Sequence, residues 1–444
     1  MKIDEKYKRL IKLFFSMIMV LLITVLYHQF WVRYFNKVIL YPFYRRGMWM
    51  MAGIYAGLLV FFMNTYGGFK IGYLRKWNLI YSQILSLACT DLFTYFQLSV
   101  LDKRMFDVKV VFVLFGVEII VVVCWTMVFQ LFYANAFPPR RMILISGDRS
   151  DYHLLEKINA RDDKYIICET INYQENKNQI IKKINEYDSI IVGDIPSHER
   201  NKIIKYCFDK GIRTYSVPKI SDILLKSSDE LNLFDTPLLL SRNMGLTIEQ
   251  QFMKRIIDIV GAILGMFITI PVFVIVWICI KLTDGGPVLY TQIRLTKDGR
   301  PFRIYKFRTM VQDAEKIGGA QLATDGDPRI LPIGRLLRAT RLDELPQVFN
   351  VIKGDMSLVG PRPERPELVK EIIKEIPEFP NRMKVKAGLT GYAQVYGKYN
   401  TTAYDKLKFD LMYIRKYSIL LDLKLIIMTP KILLMKESTE GVKK

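Results

Sequence analysis

The pattern of the chain predicts a membrane α-helical N-terminal bundle, a doubly wound α/β middle domain and a mainly α-helical C-terminal domain. Three observations lead there. Long apolar runs crowd the first third, and short β-branched runs alternate with helical periodicity in the middle. One further long apolar run then opens a basic, helix-rich remainder.

Composition narrows the functional classes. With 444 residues, 51% of them hydrophobic, there is room for two or three domains. The formal charge of +21, from 64 Lys and Arg against 43 Asp and Glu, suits an anionic membrane face or a phosphorylated substrate. No nucleic-acid recognition motif occurs, so no nucleic-acid partner is expected. Cys89, Cys124, Cys168, Cys207 and Cys279 share no metal-like spacing and suggest no disulfide framework. His28, His153 and His198 all precede the C-terminal region, which leaves carboxylates as the natural catalysts there.

The bundle comes from Leu10 to Phe30, Met48 to Tyr66, Leu79 to Val100 and Val110 to Tyr133, each near the ~20 apolar residues that span a bilayer. Ser82, Gln83, Ser86, Thr90 and Asp91 interrupt the third run, and Asp91 is expected to face the bundle interior. The first run lacks a small-residue cleavage site and is followed by others, which argues against a signal peptide. Lys2, Lys6, Lys8, Arg9 and Lys12 favour a cytoplasmic N-terminus, and four crossings return the chain to that side at Pro138-Pro139-Arg140-Arg141. The bundle is therefore placed at 1–137.

The middle domain, 138–245, rests on strands at Met142 to Ile145, Tyr165 to Ile167, Ser189 to Val192 and Arg213 to Val217. Helical patterns fall at Tyr152 to Asn159, Asn178 to Glu186 and His198 to Lys210. This alternation predicts a parallel, Rossmann-like sheet. Ser146-Gly147-Asp148 after the first strand lacks the second and third glycines of a dinucleotide fingerprint. Regulation or self-association is expected of this domain rather than redox chemistry.

The last domain, 251–444, opens with an apolar run from Ile256 to Ile280, edged by Lys254, Arg255 and Lys281. It is long enough to span, but Pro271 near its centre removes one helical hydrogen bond and bends the helix. A kinked re-entrant helix over about 254–281 would keep the flanking domains on one side of the membrane. Downstream, Asp343 and Glu344 are adjacent acids in the string Arg341-Leu342-Asp343-Glu344-Leu345-Pro346-Gln347-Val348, with Arg335 and Arg338 before it. Paired acids among arginines suit a carboxylate nucleophile, a divalent metal ligand and phosphate clamps. They equally suit an acidic turn capping a helix.

The wider string favours the first reading. Tyr305-Lys306-Phe307-Arg308-Thr309-Met310, the dyad, Lys353 through Glu364 with Gly360-Pro361-Arg362-Pro363, and Ala387-Gly388-Leu389-Thr390-Gly391-Tyr392-Ala393-Gln394-Val395 occur in that order. From about Gln251 onward the chain resembles the bacterial polyprenyl-phosphate hexose-1-phosphate transferases, or monotopic phosphoglycosyl transferases, which begin exopolysaccharide, capsule or O-antigen repeat units. The resemblance implies transfer of a hexose 1-phosphate from a UDP-sugar to undecaprenyl phosphate through an aspartyl phosphosugar, with release of UMP. It implies Asp343 as nucleophile, Glu344 as the ligand of Mg2+, and Arg338 and Arg362 as phosphate clamps, with Lys306 and Arg308 as further phosphate contacts. It also implies a re-entrant helix broken at Pro271, a homodimer, and a catalytic domain on the cytoplasmic face of the bacterial inner membrane. Members often carry serine before that proline, where this chain has Ile270.

Arg338 alternatively suits an anionic bilayer surface, and structural roles are expected of Asp355 and Asp410. Rival readings are a polytopic transferase working in one direct step, a catalytically dead membrane scaffold, and a membrane-bound redox sensor. The dyad lies beyond the last span, the acids and arginines are intact, and the glycine turn is incomplete. Each fact argues against one rival in turn.

Overall fold

The computed structural model describes residues 4–147, 152–233, 235–242, 245–312, 327, 329–397 and 401–433. The chain forms two compact units, Met1–Val217 and Pro218–Lys444.

In the first unit, α1 (Lys8–Phe30), α2 (Arg46–Tyr66), α3 (Lys76–Leu101) and α4 (Val108–Ala136) are all long and apolar enough to cross a membrane. Their outward faces expose Leu, Phe and Val, while Tyr27, Trp31, Tyr55 and Leu59 are buried between helices. The polar residues that interrupt the third run turn inward: Ser82, Gln83, Ser86, Thr90, Asp91 and Thr94 are all buried. Ser86, Thr90 and Thr94 each return their hydroxyl to the carbonyl one turn earlier. Asp91 meets Glu118 of α4 through Tyr55, whose hydroxyl donates to Glu118 Oε1 at 2.6 Å and lies 3.3 Å from Asp91 Oδ1.

The same unit continues into four parallel strands, β1 (Arg140–Ser146), β2 (Tyr165–Asn172), β3 (Ser189–Val192) and β4 (Arg213–Ser216), in the order β2-β1-β3-β4. Helices α5 (Tyr152–Asn159), α6 (Lys177–Ile184) and α7 (Ser197–Asp209) connect them. Ile143, Ile145, Ile190 and Val192 alternate with Met142, Leu144 and Ile191, and each set anchors a separate apolar cluster. Both faces of the central strands are thus covered, as a parallel sheet requires. Of the Ser146-Gly147-Asp148 turn, Asp148 lies outside the described residues.

The second unit begins with α8 (Ile220–Lys226), which packs with a later helix of that unit, and the hairpin β5 (Asp229–Leu233) and β6 (Thr236–Leu240). Helix α9 (Ile248–Asp284) opens with a Thr247–Gln250 capping box, remains helical through Pro271, and closes on Gly285 in the left-handed conformation. It too is long and apolar enough to cross a membrane. Two short sheets follow. Strands β7 (Leu289–Leu295) and β8 (Pro301–Phe307) are antiparallel, and β9 (Ser357–Val359) pairs in parallel with β10 (Gly388–Thr390).

Around these lie α10 (Pro332–Thr340), α11 (Gln347–Lys353), α12 (Pro366–Glu375), α13 (Tyr392–Tyr396), α14 (Ala403–Arg415) and α15 (Ile419–Leu433). Buried polar links tie α9 into this core. Lys254 Nζ lies 2.6 Å from Asp422 Oδ2, and Tyr413 donates to the other oxygen of Asp422 at 2.7 Å. Asp258 Oδ1 accepts from Ser357 Oγ at 2.8 Å and Leu358 N at 2.9 Å. Arg255 caps the end of α11 by donating to the carbonyls of Val351 and Ile352.

Candidate active site

The acidic pair sits where α10 ends. Arg341 takes the left-handed conformation (φ 54°), turning the chain into the single 3-10 turn Leu342–Glu344 before α11 begins. A non-glycine residue there carries some backbone strain, and the sharp reversal it allows presents both acids next to β8. Asn350, fully buried on α11, receives the Tyr305 amide at 3.0 Å and donates to the Arg303 carbonyl at 2.7 Å. That double contact fixes β8 beside the dyad. Lys306 Nζ consequently lies 3.1 Å from Glu344 Oε1 and 3.7 Å from Asp343 Oδ2.

Arg362 arrives from the loop after β9. Its Nη2 donates to Glu344 Oε1 at 2.6 Å, and Nη1 reaches Oε2 at 3.4 Å. The loop is held by tight backbone packing: Gly360 N donates to Thr390 O, Gly388 N to Pro361 O, and a Cβ at Gly388 would fall 2.0 Å from Gly360 N. Arg382, buried and paired with Asp410 at 2.7 Å, donates to the Arg362 carbonyl at 3.0 Å.

The two acids differ electrically. Burial would raise Glu344, but Arg362 and then Lys306 overcome it and hold that carboxyl well below the usual range. Burial raises Asp343 above its ordinary value; Lys306 opposes this and the Glu344 charge reinforces it. Glu344 is therefore a neutralised, fixed anion, whereas Asp343 has only the 3.7 Å contact to Lys306 among the described residues. A poorly solvated, lightly bonded carboxylate beside cations is competent for nucleophilic attack on phosphorus.

The other expected site residues divide. Arg338 on α10 donates to Thr309 Oγ1 at 3.0 Å and lies within electrostatic reach of Asp343. Arg308 is buried and donates through Nε to Pro287 O at 2.6 Å, fastening the segment after α9. Pro271 lies on α9, in a stretch from Ile263 to Pro271 with no buried residue. Asp355 pairs with Lys353 at 3.4 Å and Arg300 at 3.6 Å, and Asp410 with Arg382.

Sequence reasoning missed Arg294 on β7. It lines one recess with Lys306, Gln347, Arg362 and Gly388, donates to Pro363 O and Gln292 Oε1, and among the described residues its buried Nε has no partner. Its place depends on the loop after β9, so β7 alone carries no signal for it.

No group of three or more His, Cys, Asp and Glu side chains able to hold a metal occurs among the described residues. Mg2+ bound by one or two carboxylates plus substrate phosphates is a mode that the two acids fit. Glu344 Oε2, with its longer contact to Arg362, and Asp343 offer the hard oxygens for that mode.

Residues 249–436 match the profile of the family described as bacterial sugar transferase. A Bacillus subtilis (strain 168) relative, named as a candidate undecaprenyl-phosphate N-acetylgalactosaminyl 1-phosphate transferase, is 50% identical over 130 residues, covering 29% of this chain and 72% of the relative. The chain belongs to the bacterial sugar transferase family. An Aeromonas hydrophila UDP-N-acetylgalactosamine-undecaprenyl-phosphate N-acetylgalactosaminephosphotransferase is 43% identical over 186 residues, 41% of this chain and 44% of the relative. The Escherichia coli (strain K12) UDP-glucose:undecaprenyl-phosphate glucose-1-phosphate transferase is 38% identical over 242 residues, 51% of this chain and 50% of the relative. The chain thus spans about half the length of these two longer relatives.

Proposed function

We propose that the protein transfers a sugar 1-phosphate from a UDP-sugar to undecaprenyl phosphate, releasing UMP and starting assembly of a polysaccharide repeat unit. The observation that carries this is the Asp343–Glu344 pair, one acid held ionised by two cations and the other lightly bonded, beside Lys306, Arg362 and Arg338. Relatives named for undecaprenyl phosphate and UDP-sugars supply the substrate class.

In the first half-reaction an Asp343 carboxylate oxygen attacks the sugar-bearing phosphorus. The bond from that phosphorus to the bridging oxygen breaks, UMP leaves, and an aspartyl phosphosugar remains. In the second, a phosphate oxygen of undecaprenyl phosphate attacks the same phosphorus and the Asp343 carboxylate departs. Lys306 shields the approach of anion to anion, while Arg362 and Arg338 present donors to phosphate oxygens. Mg2+, held by Glu344 with Asp343 adjacent, would neutralise diphosphate charge and polarise the leaving oxygen.

Helix α9 is read as re-entrant. Its first half packs on β9 through Asp258, and Val276 and Ile280 pack beside Phe307 and Leu337 of the same unit. Between Ala262 and Val276 no side chain is buried, a run of about 20 Å of helix. A full crossing needs ~30 Å. The return leaves 251–444 on the cytoplasmic face of the inner membrane, with 1–137 as anchor and the parallel-sheet domain that carries Arg140–Ser146 through Arg213–Ser216 serving self-association.

The test is UMP release by detergent-solubilised protein given UDP-sugars, Mg2+ and undecaprenyl phosphate. Release dependent on a sugar donor, and lost in Asp343→Ala, is expected. Undiminished release by Asp343→Ala would end the reading.

A further inference from the structure

The first unit carries a cation cluster that the transfer chemistry does not use. Lys8 and Lys12 lie one turn apart on α1, Lys164 immediately precedes β2, and Arg140 opens β1. Their ammonium groups share aromatic faces. Lys8 Nζ is 5.4 Å and Lys12 Nζ 5.0 Å from the centre of the Tyr133 ring. Lys12 and Lys164 lie 5.0 and 4.1 Å from Tyr73. Each ammonium is therefore within about 10 Å of its neighbour, close to the screening length in physiological salt.

The loop is shaped for this convergence. Gly72 has a left-handed backbone (φ 70°), and a Cβ there would fall 2.5 Å from the Tyr133 hydroxyl. Only a glycine lets the loop lie on Tyr133 and bring Tyr73 between Lys12 and Lys164.

One carboxylate, Glu5, lies within electrostatic reach of the cluster at Lys8, and it is shared. Glu5 is taken by Arg140 through Oε1 and by Arg213 at 3.1 Å through Oε2. Among the described residues no carboxylate makes an ion pair with Lys8, Lys12 or Lys164. The three lysines are half-buried, and burial pushes Lys164 below the ordinary ammonium range. Like charges so gathered repel unless an anion joins them. Aromatic faces attract each cation separately and leave that repulsion in place.

Lys8 and Lys12 occupy the first turns of a helix apolar enough to cross a membrane, and Tyr73 and Tyr133 sit at the same end. If α1 crosses a bilayer, that end meets the lipid headgroups, where tyrosines and lysines settle. We infer that Lys8, Lys12 and Lys164, gathered on Tyr73 and Tyr133, bind a phosphate group, carried either by an anionic lipid headgroup or by a soluble phosphate. Independent interfacial lysines would meet headgroups one by one, without selectivity for this set.

The full-length protein, delipidated in detergent, is returned to nanodiscs of phosphatidylcholine with or without phosphatidylglycerol. Co-retained lipid is then counted by native mass spectrometry, and inorganic phosphate binding is followed separately by calorimetry. The test variant is Lys8→Gln/Lys12→Gln/Lys164→Gln. A control of equal charge change, Lys182→Gln/Lys205→Gln/Lys210→Gln, alters exposed lysines elsewhere in the unit.

Retention of phosphatidylglycerol by wild type and control, at least tenfold reduced in the test variant and weakened by salt, is expected for a lipid-borne phosphate. Binding of inorganic phosphate lost only in the test variant assigns a soluble source. Equal behaviour of both triple variants in both arms overturns the site. If the triple variant misfolds, Lys12→Arg and Lys12→Gln decide: the arginine keeps binding and the glutamine weakens it several-fold, whereas equal loss in both overturns the proposal.

Discussion

Replacing Lys254 by methionine tests how helix α9 is fastened to the core of the second unit. Lys254 and Asp422 have side-chain exposures of 7% and 2% and lie 2.6 Å apart, with Tyr413 bonded to both. Methionine nearly fills the space but leaves a carboxylate in a dry site with one hydrogen bond. Breaking a buried pair in this way costs about 3–5 kcal/mol. The lower end applies here, because Tyr413 remains and Asp422, already raised by burial, can take up a proton once Lys254 is gone. About 3 kcal/mol corresponds to roughly a hundredfold increase in local opening. Amide hydrogen exchange in detergent, read over Lys254 to Asp258 and Leu421 to Leu425, measures it directly. Lys254→Met/Asp422→Leu removes both charges and should recover most of the protection. Exchange in the single variant within about fivefold of wild type, roughly 1 kcal/mol, would refute the reasoning. So would a double variant no better protected than the single.

Other consequences follow from the site. Because burial raises Asp343, the acid limb of kcat/KM should lie above the ordinary aspartate range, activity falling as that carboxylate protonates. Lys306→Met removes the cation that opposes the rise, so the limb should move to higher pH. Glu344→Gln removes the reinforcing anion and should move it lower; an unmoved limb in Lys306→Met contradicts the assignment. Arg362→Lys exchanges a planar fork for a single ammonium and should lower kcat/KM by about tenfold to a hundredfold in steady-state assays. Arg294→Gln removes the unpartnered Nε donor in the recess and should raise KM for the sugar donor several-fold while thermal unfolding shifts little.

The strands and helices of the α/β sheet were legible because each repeats its own period within a few residues. Asp91 was expected inside the bundle and lies there, buried at 4% exposure. Glu118, its partner through Tyr55, was not anticipated, because one acid in a long apolar run scarcely changes the pattern. The resemblance implies both Lys306 and Arg308 as phosphate contacts, and their spacing does not separate them. The strand ends at Phe307, and Arg308 turns away to the Pro287 carbonyl while Lys306 reaches the dyad. Pairings such as Lys254 with Asp422, 168 residues apart, and the convergence of Arg294 with Arg362 depend on packing alone and leave no local signature.

The most direct test of the central claim is intact-protein mass spectrometry after mixing the enzyme with a UDP-sugar in the absence of undecaprenyl phosphate. The account predicts a mass increase of one sugar phosphate, located by peptide mapping on Asp343, with one UMP released per adduct and no adduct in Asp343→Asn. UMP release that requires the acceptor, without any adduct, or an adduct on another residue, would contradict it.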